Sequence, residues 1–242
     1  ISESVTSIGI GAFIKTPWLE EYPNDQVTIH GILLTYKGTQ VHVTIPENVT
    51  RIGAGAFYEC ERLQSMVIPD SVTWIGNNAF DGCRRLRSVV IPDSVTWIGN
   101  GAFDGCRSIR LFGIEFTPRA FRESDYTNAR KMLQTKNFSM KISTDIKYAA
   151  AVGFWLKTED EAAESFIRKS ISRIMPFLIG NDNMDVIHKL LESGKFITKK
   201  NVDKFIGCAI EHTQSGGSPE IQTMLMHNKA EVLGYRDIAD TF

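Results

Sequence analysis

Residues 68–106 read IPDSVTWIGNNAFDGCRRLRSVVIPDSVTWIGNGAFDGC, and the phrase at 68–83 returns at 91–106, 23 residues on, with Asn78 against Gly101 as its one difference. A third copy begins at Ile45 (IPENVTRIGAGAFYEC), and ISESVTSIGIGAF at Ile1 is an earlier one. The shared pattern is I-P-x-x-V-x-x-I-G-x-x-A-F-x-x-C-x-x-L/I. A fixed period of this length predicts a solenoid, each unit one coil stacked on its neighbours. Val49, Val72 and Val95, then Ile52, Ile75 and Ile98, then Phe57, Phe80 and Phe103 become columns that only the next coil can bury. Gly53, Gly76 and Gly99 follow the isoleucines, where a turn with positive φ is expected. Pro46, Pro69 and Pro92 end a short strand, since proline removes a ladder donor. LRSVVI (86–91) and its equivalents are that strand.

These residues resemble the BspA-like, or Treponema-type, leucine-rich repeats of bacterial and protist surface proteins. The resemblance rests on IPxxVxxIGxxAFxxCxxL in three tandem copies plus residues 1–13, and covers about 1–113. The segment TPWLEEYPNDQVTIHGILLTYKG (16–38) interrupts the period. Within it QVTIHGILLTY reads as a β-hairpin turning at His30 and Gly31. From Ile1 to Ile45 is 44 residues, close to two periods, so the insert (16–44) is expected to replace one coil. The resemblance implies an adhesion or protein-recognition scaffold at the cell surface or secreted, with no catalytic residues to carry over.

The chain has 242 residues, 43% hydrophobic and 23% charged, the composition of a folded protein. A formal net charge of −1 supplies no global field toward nucleic acid or an anionic membrane, so neither is an expected partner. No apolar run reaches the ~20 residues that span a bilayer, and the longest, AAAVGFWL (149–156), has the length of a buried helix. Because the chain opens inside a repeat, it reads as a trimmed piece of a longer protein, from which any export signal would have been removed.

Cys60, Cys83 and Cys106 share one repeat position. Thiols on successive coils point the same way, which suits neither a zinc site nor disulfide pairing. They read as a column of buried, reduced thiols. The position between the Val and Ile columns holds Ser7, Arg51, Trp74 and Trp97, and is expected to face solvent. At a coil spacing near 4.8 Å the two indoles would stack, with Arg51 over a ring face. Arg84, Arg85, Arg87, Arg107 and Arg110 collect just after the cysteines. Trp and Arg are enriched at binding hot spots, so Arg51, Trp74, Trp97, Arg84, Arg87, Arg107 and Arg110 are the candidate ligand-binding residues. A second reading stays open, in which the indoles cover the end of the core and the arginines pair with Glu61, Asp81 and Asp104.

After Gly113 the period fades, and IEFTPRAF (114–121) reads as a worn last coil or its cap. Helices are expected near 145–157, 159–180, 184–193, 200–213 and 219–228, the second broken or kinked at Pro176. Thr158 with Glu161 forms a capping box, and Ser218 is an N-cap followed by a proline at the first helical position. A shift of 34 residues maps Ile171, Ile174 and Met175 onto Phe205, Cys208 and Ala209, and Ile187, Leu190 and Leu191 onto Ile221, Met224 and Leu225. Paired helices at this period resemble degenerate ankyrin repeats without their TPLH and AxxxGH markers. Cys208 and His212 have the spacing of a thiolate–imidazole pair, but no third group accompanies them and buried packing is the expected role of Cys208. No P-loop, HExxH, GxSxG or GxGxxG occurs, and no cofactor or metal is expected.

The expected architecture is an α+β repeat protein, a right-handed leucine-rich-repeat β-solenoid (1–121) followed by an all-α ankyrin-like helical repeat domain (122–242). The expected function is a non-enzymatic recognition or adhesion scaffold for a protein partner, host or cell-surface, or for a surface glycan. A structural spacer is the alternative, and an enzyme with a site in the helical half a third. One strand face of about five coils offers only ~300 Å², against roughly 800 Å² per partner in a stable interface.

Overall fold

The computed structural model describes residues 8–234 apart from 10, 14, 88, 119 and 233. Most of the first repeat copy, Ser7 included, lies outside the described residues. The chain forms two compact units: the described residues up to Thr135 with Met140–Lys147, and Lys136–Ser139 with those from Tyr148 onward.

In the first unit a short helix α1 (Pro17–Glu21) precedes the hairpin of β1 (Gln26–Ile29) and β2 (Ile32–Tyr36). The hairpin turns at His30 (φ 46°) and Gly31 (φ 74°), as expected. Each repeat then supplies two short strands where the sequence reading placed one: β3 (His42–Thr44) and β4 (Arg51–Ile52), β5 (Ser65–Val67) and β6 (Trp74–Ile75), β7 (Val89–Val90) and β8 (Trp97–Ile98). The first of each pair is the expected strand, and the second lies on the V-x-x-I phrase. A hairpin of β9 (Ile109–Leu111) and β10 (Ile114–Phe116) follows, then helix α2 (Glu123–Thr135). The sheets run β1-β2-β4-β6-β8, β3-β5 and β10-β9-β7. Ile52, Ile75 and Ile98 pair in parallel, so residues one period apart lie side by side. In the same row Leu33 of β2 pairs with Ile52, which is how the insert takes the place of one repeat strand.

The stacked columns form the core. Tyr36, Phe57, Phe80, Phe103 and Phe121 make one aromatic ladder with centroid spacings of 5.2, 5.2, 5.3 and 5.7 Å. The glycines after the isoleucines are required for a different reason from the expected one. None of Gly53, Gly76 and Gly99 has a positive φ. Instead, a Cβ on Gly76 would lie 2.4 Å from the Ala54 amide nitrogen, and one on Gly99 2.5 Å from that of Asn77. Neighbouring backbones touch there, and only glycine leaves room. Left-handed residues fall in two other columns, Gly55, Asn78 and Gly101, and Glu59, Gly82 and Gly105.

The register slips once. A strict period would set Phe112 beside Val89, but Ile109 pairs with Val89 and Arg110 with Val90. Burial decides the slip, because Ile109, Leu111, Ile114 and Phe116 all have to face inward to close the array. Helix α2 then supplies what a further repeat would have given. The carbonyls of Val49 and Val72 accept the hydroxyls of Ser71 and Ser94 from the next repeat, at 2.7 and 2.8 Å. Val95 has no following serine, and its carbonyl accepts from Tyr126 Oη (2.6 Å) and Arg130 Nη1 (2.7 Å). Likewise the Glu123 amide donates to Asn100 Oδ1, continuing the bond from the Asn100 amide to Asn77 Oδ1. The sequence reading divided the chain after residue 121, ahead of this helix; packing joins the helix to the repeats.

Helix α3 (Thr144–Thr158) crosses from the first unit into the second, which otherwise holds α4 (Glu161–Gly180), α5 (Met184–Glu192), α6 (Val202–Gln214), α7 (Glu220–His227) and a π-helical turn, Asn228–Val232. The expected helices are present within two residues at each end; α2 was missed because its apolar residues are few. Asp160, not Thr158, caps α4, accepting from the amides of Ala162 and Ala163. Helix α4 also runs unbroken through Pro176. The Ser172 carbonyl, which proline deprives of its helical donor, accepts instead from Lys204 Nζ of α6 at 3.3 Å. α4 packs on α6 and α5 on α7, burying Ile171, Ile174, Met175 and Phe205, and Ile187, Leu191, Ile221 and Leu225.

Phe80 is fully buried between two parallel rings. Phe80→Ala is therefore expected to destabilise the chain by about 4 kcal/mol, measured as the shift of the urea midpoint.

Candidate functional site

Arg51, Trp74 and Trp97 occupy successive places in one row of the five-stranded sheet, Arg51 paired with Trp74 and Trp74 with Trp97. The indoles are stacked at 4.3 Å with 4° between their planes, and Arg51 Cζ lies 4.5 Å from the Trp74 centroid. Ile32, buried, continues the row on β2. The expected contact geometry is present; full solvent exposure is not, since all three side chains are half-buried. Both faces of Trp74 are taken, one by the guanidinium and one by Trp97. What Trp74 offers a ligand is its edge, so a sugar ring has no Trp74 face to stack on. Arg51 Nε is buried with no hydrogen-bond partner among the described residues, and the guanidinium rests on the ring face.

The structure places the other candidate arginines on a different set of strands. Arg84 and Arg107 lie in the turns after Cys83 and Cys106, Arg87 leads into β7, and Arg110 is on β9, all outside the sheet that carries the indoles. Arg84, Arg87 and Arg107 are exposed, as are Arg62 and Arg85. Arg110 is committed to its own hairpin, where it meets Glu115 at 3.3 Å while Glu115 accepts from Ser108 Oγ at 2.7 Å. The pairing of arginines with Asp81 and Asp104 is not what holds those acids. Asp104 Oδ1 accepts the Phe121 amide at 2.8 Å. Asp81 is pushed above the usual carboxylate range by burial and then by Asp104 and Glu59.

Two exposed side chains on this second set of strands were not singled out beforehand. Val67 and Val90, one period apart, are 58% and 54% exposed. The signal was present in the apolar triplets Met66-Val67-Ile68 and Val89-Val90-Ile91: side chains alternate along a strand, so the middle residue must face away from the core.

The four cysteines are free. Cys83 Sγ donates to the Phe57 carbonyl at 3.1 Å and Cys106 Sγ to that of Phe80 at 3.3 Å, so the column ties each repeat to the one before as well as filling space. The thiol contact with Cys60 and burial push Cys83 up, and burial pushes Cys106 up to about 12. Cys60, at the open end of the column, and Cys208 are only half-buried, which corrects the expectation that all the thiols are enclosed. His212 does not serve Cys208. Its Nε2 meets Asp182 Oδ1 at 2.7 Å, and that same oxygen accepts the Ser218 amide at 3.1 Å, joining the turn after α4 to the turn after α6. Among the described residues no group of three or more His, Cys, Asp or Glu could hold a metal ion, and no helix is long and apolar enough to cross a membrane.

Residues 34–149 match the family model of the BspA type Leucine rich repeat region, in six copies. This stretch, similar to those repeats, runs from within β2 into helix α3. A crystal structure of a leucine rich repeat protein of T. pallidum is similar at 26% identity over 34% of this chain, with a TM-score of 0.23. The chain spans 64% of that protein's length. No curated protein matches.

Two measurements check this geometry. Ellman's reagent at neutral to mildly alkaline pH should modify Cys60 and Cys208 in the native protein, and Cys83 and Cys106 only after denaturation, since a buried thiol held near 12 leaves almost no thiolate. The double variant W74A/W97A is expected to lose roughly 3 kcal/mol of stability from two half-buried, stacked indoles. A loss under about 1 kcal/mol would show that the rings contribute little to the fold.

Proposed function

We propose that this chain is a non-enzymatic recognition scaffold that binds a protein partner through the outward face of β3, β5, β7 and β9 and the arginine-bearing turns beside it. The observation that carries this reading is the pair Val67 and Val90, each more than half exposed on that face. Aliphatic side chains on a sheet cost free energy in water and gain it when covered. The similarity to BspA-type repeats, a class of recognition and adhesion scaffolds, points the same way.

In this reading the repeats wind as a right-handed solenoid and the second unit is an ankyrin-like pair of helical repeats. The parallel register of residues 23 apart supports the first, and the packing of α4 on α6 and α5 on α7 supports the second. The partner is a host or cell-surface protein, the chain works at the cell surface or after secretion, and no cofactor takes part. The Arg51–Trp74–Trp97 row is a second, smaller contact surface that presents ring edges. The four strands of the main face, of about three residues each, cover only ~200 Å², and the adjoining turns roughly double that. Against about 800 Å² per partner in a stable complex, this surface suits a transient complex.

The full chain is to be tested on arrays of purified extracellular proteins and of glycans. Saturable binding to a protein, lost in V67E/V90E with the melting curve unchanged, is expected. No saturable binding on either array, or binding that V67E/V90E leaves intact, would overturn the reading and favour a structural spacer.

A further inference from the structure

We propose that Arg62, Arg84, Arg85, Arg87 and Arg107 form a docking surface for an acidic segment of a partner protein, one that also carries aliphatic side chains; this rests on the recognition reading above and names the chemistry of the partner.

The five arginines fall in the turns and strand entries of three successive repeats, and all are exposed. Their register brings them together. The Arg87 amide donates to the Gln64 carbonyl (2.9 Å) and the Arg107 amide to that of Leu86 (3.2 Å). The bond from Arg107 to Leu86, in register with Val89 paired to Ile109, sets Arg87 and Arg107 side by side at the entries to β7 and β9. Arg84 and Arg107, like Arg62 and Arg85, are one period apart. At about 4.8 Å between strands, like charges set opposite one another are destabilising. One carboxylate, Glu61, heads the column of Arg84 and Arg107 and leaves the patch strongly positive.

The nearby acids do not neutralise it. Asp104 holds the Phe121 amide, and Glu115 holds Arg110 and Ser108. Asp81 is raised by burial and by other carboxylates, the opposite of what a guanidinium neighbour would do. Among the described residues none of the five forms an ion pair. On a chain of net charge −1, this is a local concentration of unpaired guanidinium forks, which match carboxylates in a bidentate manner. A sulfated glycan would satisfy the charge as well. The valines decide between them: Val67 and Val90 are exposed on β5 and β7, the strands that Arg87 and the turns bearing Arg62, Arg84 and Arg85 lead into, and aliphatic side chains beside the charge serve a polypeptide and not a polysaccharide.

The test uses the full chain and a fluorescein-labelled peptide of alternating glutamate and valine, with a glutamine-for-glutamate control, read by fluorescence anisotropy. The glutamate peptide should bind, more weakly as salt rises, and the control should not. In R84Q/R85Q/R87Q/R107Q, whose melting curve should match the wild type, affinity should fall at least about tenfold. V67T/V90T should weaken binding by a few fold. Equal binding of both peptides, or no loss in the arginine variant, would overturn the proposal. Binding of dextran sulfate without binding of the glutamate peptide would overturn it in favour of a glycan. A protein from the arrays that needs Val67 and Val90 but binds the arginine variant normally would sink this proposal and leave the recognition reading standing; no protein partner at all would remove that reading itself.

Discussion

No single 23-residue repeat of this chain encloses its own apolar residues, and the structure follows from that shortage. Phe80 is buried only because Phe57 and Phe103 lie on either side of it. Backbone bonds between repeats lock the same alignment: the Gly76 amide donates to the Ile52 carbonyl and the Gly99 amide to that of Ile75. The spacing these bonds impose is tight enough that a Cβ on Gly76 or Gly99 would strike the preceding backbone. Position in the repeat therefore becomes position in space, inside and out.

The rule acts on the surface with the same force, and it makes good and bad neighbours alike. Two tryptophans in one column stack face to face, and with Arg51 on the other side Trp74 has no face left for a ligand. Arginines in adjoining columns crowd together while the acids of the A-F-D-G turns gather in a row of their own, where burial and mutual repulsion raise Asp81. Glu61 apart, acids and arginines hold different repeat positions, and among the described residues Arg62, Arg84, Arg85, Arg87 and Arg107 form no ion pair. This gives a chain of nearly zero net charge a strongly polar surface feature.

The repeats meet structure of a different kind on two sides. The hairpin β1–β2 opens the five-stranded sheet, with Leu33 and Tyr36 filling the places that isoleucine and phenylalanine hold in the repeats. At the other end, Tyr126 and Arg130 stand in for the serine that the next repeat would have contributed to the Val95 carbonyl. The second unit solves a similar problem with helices. There a proline inside α4 is tolerated because a lysine from the neighbouring helix serves the carbonyl it leaves open.

Strong local periodicity made much of this legible in the residues alone. The repeat, its stacked columns, the hairpin at His30 and Gly31, the contact of Arg51 with Trp74 and Trp97, and the boundaries of five helices all follow from spacing that physics ties to one geometry. What the sequence did not carry was anything that depends on which elements meet. The glycine column looked like a turn and is a close approach, because φ and backbone proximity leave the same mark on a sequence. The slip that sets Arg107 beside Arg87 came from the need to bury Ile109 and Leu111 against the closing hairpin. Helix α2, too polar to announce itself, is held by the unmet carbonyl of Val95. Burial and pairing are properties of neighbours, and a period specifies neighbours only where the repeat continues; at its ends, tertiary packing decides.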